Sequence, residues 1–290
     1  MRRLAPAGLL LAIVAVWGWT FVVVKDAVAV YGVLPFLAVR FAIGATAVGL
    51  FCVRRVKIRT LAAAAPIGLV LGGAFLLQTL GLDRSTATNT GLITGLFVVF
   101  TPLANRLLFR IRTSRLQWAA VGVSLLGLGL LTGAAPAGLV RGDLLTVFAA
   151  AAFGLHVALL DHGSKQHDAA GLALGQLLAA AVGLAAVWVC LGPAAWPPRS
   201  VWPALAITGL GATAAAYFVQ TYAQQRLSAV QTAMIILLEP VFAALFGCLL
   251  AGDRLTAVQW SGAVLLVGAI SAAELLRPPA PEQSPANIKE

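Results

Sequence analysis

Residues 231–246 read QTAMIILLEPVFAALF, and this stretch decides the class of the fold. It is apolar enough for the hydrocarbon of a bilayer, yet Glu239 and Pro240 interrupt it near its middle. In a helix over about 229–251, Glu239 lies roughly 15 Å from the helix start, close to the centre of a hydrocarbon core about 30 Å thick. A charged side chain at that depth costs about 2.5–3.5 kcal/mol, so we expect Glu239 to face protein or a water-filled cavity.

The proline beside the acid strengthens this interpretation. Pro240 has no N–H for the carbonyl of Ile236, so we expect a kink that frees a polar backbone group next to Glu239. Burial favours the protonated carboxyl group and so brings it nearer the range where it can exchange protons, and proton coupling requires such exchange. The alternative is a structural role, in which protonated Glu239 bonds a carbonyl near the kink. A transport pathway is the leading hypothesis.

The composition places the whole chain in a membrane. Of the 290 residues, 60% are hydrophobic and 10% are charged, whereas a soluble domain carries about 25% charged residues. We predict an all-α integral membrane fold of ten transmembrane helices, each near the length of about 20 residues that a span needs. The apolar runs lie at about 4–24, 34–53, 62–82, 89–109, 116–133, 142–160, 170–191, 201–223, 229–251 and 256–276.

The net charge of +10 indicates orientation and not a nucleic-acid partner. If the N-terminus is cytoplasmic, most of the 20 Lys and Arg residues fall in the inside segments, a minority fall outside, and Arg40 lies within a helix. This asymmetry follows the positive-inside rule. We therefore predict a multi-pass protein with both termini in the cytoplasm.

The chain contains two related copies of one pattern. A shift of 136 residues pairs Gly18 with Gly154 and Arg40 with Gln176 in the first two helices of each copy. A shift of 142 pairs the later helices, superimposing Gln78-Thr79 on Gln220-Thr221, Arg84 on Arg226, and Gln117-Trp118 on Gln259-Trp260. Polar pairs that repeat at one shift indicate an internal duplication.

The duplication predicts inverted repeats around a central cavity. Each copy contributes five helices, an odd number, so the second copy enters the membrane in the opposite sense. We predict a first repeat at 1–137, a second, inverted repeat at 138–277, and a disordered cytoplasmic tail at 278–290.

The fourth helix of each copy contains a proline. Pro240 aligns with Val98, and Pro102 lies one turn further along its own helix, so we expect kinks at slightly different depths. Thr101 precedes one proline and Glu239 precedes the other. The carboxyl group is therefore the asymmetric element of the pair.

Polar and aromatic side chains within the spans are the candidate cavity residues. Arg40 either snorkels to the outer interface or lines the cavity, facing Glu239 or an anionic substrate group. His156 makes a core hydrogen bond or serves as a proton relay, and Trp17 and Trp19 pack in the core or form a cavity wall. For Gln and Thr the alternative is interhelical hydrogen bonding. The predicted cavity set is Trp17, Trp19, Arg40, Gln78, Thr79, Thr94, Thr101, His156, Gln176, Tyr217, Gln220 and Glu239, with Pro102 and Pro240 as helix kinks or gating positions.

The sequence contains no catalytic constellation. It shows no metal-ligand cluster, no nucleophile with a paired base and no phosphate-binding motif, so we expect no enzyme activity, metal or cofactor. Cys52, Cys190 and Cys248 lie in apolar runs at unrelated spacings, which is typical of packing residues and not of a disulfide or metal site.

A set of motifs recurs in order along residues 4–276. They are Trp17-Gly18-x-x-Phe21, Arg40-Phe41, Pro102, Gln117-Trp118, and Glu239-Pro240 followed by Gly252-Asp253-x-Leu255 and Gln259-Trp260. Their order resembles that of the EamA-type ten-helix transporters of the drug/metabolite transporter superfamily. The chain departs from that family at Asp253, where Glu is more frequent, at Phe153-Gly154, where a tryptophan is common, and at Arg110 and Arg112, where an acidic residue is expected.

The resemblance implies a secondary transporter that works by alternating access. It implies export of amino acids or related small metabolites across a bacterial-type inner membrane, with protons as a further candidate partner. Multidrug or toxic-amphiphile efflux, nucleotide-sugar-type exchange and metabolite uptake stay open, as does a monomeric or homodimeric state. A membrane-embedded enzyme and a non-transporting receptor or scaffold are the alternatives of a different class.

Overall fold

The computed structural model describes residues 4–52, 56–85, 87–133, 141–192, 195–246, 248–249 and 254–275. Within these ranges all regular structure is helical. The predicted tail at 278–290 and the Gly252-Asp253 pair lie outside the described residues.

Six helices form the first half of the chain. They are α1 (Leu4–Tyr31), α2 (Val33–Cys52), α3 (Ile58–Asp83), α4 (Ala87–Thr94), α5 (Phe97–Phe109) and α6 (Arg115–Thr132). The second half begins with α7 (Arg141–Ser164) and α8 (Ala169–Leu191). A 3₁₀ turn (Arg199–Val201), α9 (Trp202–Ala206), a π-helix (Ile207–Ala215) and α10 (Ala216–Gln224) then run on without a gap. The last three helices are α11 (Ala229–Ile236), α12 (Glu239–Phe246) and α13 (Ala257–Leu275).

The helices have the length and composition of membrane spans. In the described residues, eight helical segments are long and apolar enough to cross a bilayer. The two arms of α1, Ala5–Thr20 and Val23–Tyr31, are bent by 48° and make a ninth if they are counted as one span. A shorter apolar helix, Ala257–Ala273, lies at the end. The chain is therefore a multi-pass helical membrane protein.

Helices of the two halves alternate in the bundle. α3 packs against α7 and α8, and α2 packs against α8 and the π-helix. α1 packs against α10 and α12, while α5 packs against α7. α6 and α13 pack mainly against each other. If each helix is replaced by its counterpart in the other half, the same set of packing pairs results. Helices from both halves therefore enclose the central space.

The glutamine of each duplicated Gln-Trp pair caps the start of a helix. Ser114 Oγ accepts from the backbone N–H of Gln117, and the side-chain oxygen of Gln117 accepts from the N–H of Ser114, at 3.2 and 3.1 Å. Thr256 and Gln259 repeat the arrangement before α13. Each is a reciprocal capping box that satisfies helix N–H groups without helical partners. The repeated glutamine therefore starts a helix.

The fourth helix of each half is interrupted at the same point. α4 ends at Thr94 and α5 begins at Phe97; shifted by 142, these residues are Ile236 and Glu239, where α11 ends and α12 begins. The turns between them are tightened by bonds of Leu96 N–H to Ile93 O and of Leu238 N–H to Ile235 O, both 3.1 Å.

This shared interruption is a separate feature from the kinks expected at Pro102 and Pro240, which stay a prediction. Pro102 lies inside α5, beyond the interruption, and Pro240 lies in the first turn of α12. Val98, the counterpart of Pro240, follows an interruption of the same kind, so proline is not required to cause it. A missing N–H costs little in the first turn of a helix, which explains why Pro240 fits there.

Candidate functional site

A central cavity, open to one side and with an accessible volume of about 90 Å³, lies between α1 to α5, α7 and α10 to α12. Both halves of the chain therefore contribute to its wall. Of the predicted set, the residues that line it are Trp17, Arg40, Gln78, Thr79, Thr94, His156, Tyr217, Gln220 and Glu239.

Arg40 is held against the π-helix. The helices approach closely because glycines face them: a Cβ at Gly44 would lie 2.7 Å from the Thr213 side chain, and a Cβ at Gly209 would lie 2.7 Å from that of Ile43. Arg40 Nε donates to Thr213 Oγ1 at 2.8 Å, and Nη2 donates to the carbonyl of Ala212 at 3.4 Å. The guanidinium is thus fixed in the cavity wall, and Arg40 does not snorkel to an interface.

Trp17 and Arg40 share an acceptor on the π-helix. Trp17 Nε1 donates to the Ala212 carbonyl at 2.8 Å, the same oxygen that Arg40 approaches. At the end of the π-helix the N–H of Ala216 bonds the carbonyl of Gly211, five residues back. Such wider winding is frequent at functional sites. The π-helix therefore organises two side chains of the wall.

Glu239 lies in the same cavity, at the first residue of α12. Within the described residues its carboxyl group makes no hydrogen bond or ion pair; the one ion pair found there joins Lys165 to Asp161, at 2.7 Å. Arg40 and Glu239 therefore line one cavity without binding each other directly. A guanidinium and a carboxyl group that are both available to the cavity suit a ligand that carries a carboxylate and an amino group.

Four aromatic rings form a continuous wall. Trp17 and Tyr217 have ring centroids 5.7 Å apart, Phe75 and Phe153 are 5.2 Å apart, and Phe75 and Tyr217 are 6.2 Å apart. The shift of 136 pairs Trp17 with Phe153, and the shift of 142 pairs Phe75 with Tyr217. Sequence reasoning missed Phe75 and Phe153 as wall residues, although this pairing was a signal that could have identified them.

His156 belongs to a buried hydrogen-bond chain as well as to the cavity wall. Its Nε2 lies 2.9 Å from Gln176 Oε1, and Gln176 Nε2 donates to Thr221 Oγ1 at 2.9 Å. Thr221 in turn donates to the carbonyl of Tyr217 at 2.6 Å. His156 therefore makes the core hydrogen bond that is one of its two predicted roles.

The two equivalent glutamines do not bond each other across the cavity. Gln78 Nε2 donates to Thr94 Oγ1 at 3.2 Å, within the first half. Gln220 Nε2 donates to Gln224 Oε1 at 3.2 Å, within the second half. Each glutamine therefore positions a group of its own half.

Three predicted cavity residues lie elsewhere. Trp19 is 41% exposed on the outer surface, because two residues along a helix turn its side chain away from that of Trp17. Thr101 is fully buried and donates to the carbonyl of Phe97 at 2.9 Å. Gln176 is fully buried behind His156, as described above. In the described ranges no group of three or more His, Cys, Asp or Glu side chains is arranged to hold a metal ion.

Comparison with known proteins assigns this architecture. The profile of the EamA-like transporter family matches residues 5–133 and again residues 140–273. The chain belongs to the EamA-like transporter family. An uncharacterized transporter from Archaeoglobus fulgidus is 33% identical over 265 residues, covering 91% of this chain and 84% of the relative. The cavity therefore lies in a membrane protein of a transporter family.

A solved structure supports the fold of this EamA-like chain. A protein of known crystal structure superimposes with a TM-score of 0.79 at 21% sequence identity, covering 95% of this chain and 100% of that protein. At this identity the likeness describes the fold alone.

Proposed function

We propose that this EamA-like protein exports amino acids or related small metabolites across a bacterial-type inner membrane by alternating access. The observation that carries the proposal is the pair Arg40 and Glu239, which line one cavity and do not bind each other. A zwitterionic substrate, such as an amino acid, supplies a carboxylate that binds Arg40 and an ammonium group that binds Glu239. The aromatic wall around Trp17 and Tyr217 then contacts the apolar part of the substrate.

The two halves, 1–137 and 138–277, act in this proposal as inverted repeats with both termini in the cytoplasm. The double family match and the exchange-symmetric packing of the helices support the two repeats, and the excess of Lys and Arg in the inside segments supports the cytoplasmic termini. Inverted repeats that enclose a midplane site open alternately to the two sides when one half rocks against the other.

Glu239 is proposed to couple transport to protons. Its carboxyl group has no protein partner in the described residues, so it is free to exchange a proton or to bind a substrate ammonium as the cavity opens and closes. Intramembrane carboxyl groups that face a cavity commonly mark such pathways.

Transport assays in proteoliposomes test the proposal. A panel of amino acids, amines and cationic amphiphiles is presented to the purified protein under an imposed pH gradient. Uptake or counterflow of an amino acid supports the proposal, and transport of no compound in the panel favours a non-transporting role.

Efflux of toxic amphiphiles is the second candidate function. The four-ring wall favours it, because apolar and aromatic compounds stack on such surfaces. The same panel separates the two candidates: movement of cationic amphiphiles without movement of amino acids supports efflux.

A further inference from the structure

Arg40 has donors that the protein does not use. A guanidinium carries five N–H donors and no acceptor. The bonds to Thr213 and Ala212 engage Nε and one N–H of Nη2. Nη1 makes no hydrogen bond to any residue that the structure describes, although Arg40 is only 3% exposed. Nη1 is not among the side-chain atoms that are fully buried without a partner, so it is accessible from the cavity, where a ligand can reach it.

The unused donors form one edge of the guanidinium. Nε and Nη2 together face the π-helix, which leaves Nη1 and the second N–H of Nη2 at the far edge of the plane. One face of the group lies on the Phe75 ring, with the guanidinium carbon 5.0 Å from the ring centroid. Because Arg40 lines the cavity, this free edge is the part available to a ligand.

We infer that the free edge of Arg40 binds a substrate carboxylate. A planar fork of two N–H groups matches the two oxygens of a carboxylate. Glu239, in the same cavity, disfavours a ligand with several negative charges and favours one that also carries an ammonium group. The inference rests on the proposed function and makes it narrower, because it requires the carboxylate of the transported compound.

Thr213 is the positioning residue of this subsite. Its hydroxyl accepts from Nε, which sets the plane of the guanidinium and therefore the direction of the free edge. Thr213 is itself fully buried and does not line the cavity. Its effect on the ligand is expected to act through Arg40.

Three probes with one apolar tail test the subsite by binding to the purified protein. They are leucine, 4-methylpentanoate, which lacks the ammonium, and isopentylamine, which lacks the carboxylate. We expect Arg40→Gln to weaken the binding of leucine and of 4-methylpentanoate by about tenfold or more and to leave the affinity for isopentylamine unchanged. Thr213→Val is expected to weaken the binding of the same two compounds, and Thr213→Ser is expected to keep it at the wild-type level.

Two results overturn the inference. One is isopentylamine binding as tightly as leucine to the wild-type protein; the other is Arg40→Gln leaving leucine and 4-methylpentanoate affinities unchanged. If amines or amphiphiles are bound and transported while carboxylates are not, the subsite is wrong and a transport function stands. If no member of a wider panel of carboxylates binds to the wild-type protein, the carboxylate subsite is also wrong. Arg40→Gln and Thr213→Val then have no carboxylate binding to weaken.

A second observation concerns the direction in which the cavity extends. Val24 and Leu82, close to the ends of α1 and α3, line the cavity. Their counterparts at the shifts of 136 and 142 are Leu160 and Gln224. Both counterparts are fully buried and neither lines the cavity. The cavity therefore extends towards the end of the bundle where α1 and α3 end, and it is closed towards the other.

The closed end carries a hydrogen bond that its counterpart does not have. Gln224 Nε2 donates to the carbonyl of Val157 at 2.8 Å, which ties α10 to α7. Gln220 adds a bond to Gln224 Oε1 at 3.2 Å. Leu82, at the equivalent position of the other end, has no polar side-chain atom. The geometry points to Gln224 as a latch that holds this end closed and biases the transporter towards the opposite opening.

Reciprocal variants test the latch. In a background with Cys52, Cys190 and Cys248 replaced by serine, single cysteines at Val24 and Leu160 report the two ends through their rates of labelling by a maleimide in nanodiscs. Gln224→Met keeps the side-chain volume and removes the amide, so we expect faster labelling at position 160 and slower labelling at position 24. Leu82→Gln introduces the amide at the other end, so it is expected to favour closure there and to change both rates in the same directions as Gln224→Met.

Unchanged labelling rates in folded Gln224→Met contradict the latch. If that variant does not fold, Leu82→Gln decides the question, since unchanged rates there contradict the same bias. This second proposal rests on alternating access in the proposed function. Variants that leave the labelling rates unchanged while substrates are still transported show that only the latch is wrong.

Discussion

Glu239 occupies in the second half of the chain the position that Phe97 occupies in the first. Each is the residue at which a helix resumes after the shared interruption, and both side chains line the cavity. The duplicated scaffold therefore offers two equivalent positions to the cavity, and a carboxyl group stands at one of them.

The equivalence predicts the effect of moving the carboxyl group. Glu239→Phe is expected to abolish pH-gradient-driven uptake in proteoliposomes, because it removes the carboxyl group from the cavity. Phe97→Glu combined with Glu239→Phe is expected to recover part of this uptake, since the acid returns to the same cavity from the other half. A double variant no better than Glu239→Phe would argue that the two positions are not functionally equivalent.

Glu239→Gln separates coupling from binding. The amide keeps the size of the side chain and an oxygen that accepts from an ammonium group, but it cannot exchange a proton, so we expect counterflow to persist with weaker affinity while dependence on the pH gradient is lost. Asp83→Asn is the matched control, because Asp83 is exposed at the end of α3 and does not line the cavity. Gradient-driven transport that survives Glu239→Gln intact would exclude Glu239 as the coupling residue.

Trp17 and Trp19 form a natural pair for a fluorescence assay. Trp17 lines the cavity, whereas Trp19 is 41% exposed on the outer surface. We expect substrate binding to change the tryptophan emission of the wild-type protein and of Trp19→Phe, and to change it much less in Trp17→Phe. An equal loss of the signal in both variants would place the binding site elsewhere.

Gly18 and Gly154 allow close contacts at equivalent places. A Cβ at Gly18 would lie 2.7 Å from the Glu239 carbonyl oxygen, and a Cβ at Gly154 would lie 2.8 Å from the backbone nitrogen of Thr101. We expect Gly18→Ala and Gly154→Ala each to destabilise the protein by about 1–3 kcal/mol through overpacking, measured by thermal unfolding in detergent.

Gly122→Ala is the control for this prediction. A Cβ at Gly122 would have no neighbour within 4 Å, so the helix propensity of alanine should stabilise the protein or leave it unchanged. Equal effects of all three changes would show that the contacts of Gly18 and Gly154 do not limit stability.

Much of the fold could be predicted because the apolar runs are long and the duplication is readable. The interruption of the fourth helices could not, since it depends on a tightened turn that Val98 follows as readily as Pro240. α1 is apolar on all sides, so its sequence could not show that Trp17 faces inwards and Trp19 outwards. Thr101 was a reasonable cavity candidate, but its hydroxyl bonds its own helix.

The aromatic wall shows where sequence reasoning was too narrow. Taken one at a time, Phe75 and Phe153 resemble ordinary packing residues, because a phenylalanine in an apolar run gives no sign of a cavity. Their pairing with Tyr217 and Trp17 under the two shifts does give such a sign. In a duplicated membrane protein, the counterpart of a candidate residue is therefore a candidate as well.

Counterflow of a labelled amino acid into proteoliposomes tests the central claim most directly. Wild-type protein is predicted to exchange external labelled leucine for unlabelled leucine inside, and Arg40→Gln is predicted to lose this exchange although the variant folds. Exchange by wild type that Arg40→Gln retains in full, or amine exchange without any amino-acid exchange, would contradict the claim that Arg40 and Glu239 form a zwitterion site.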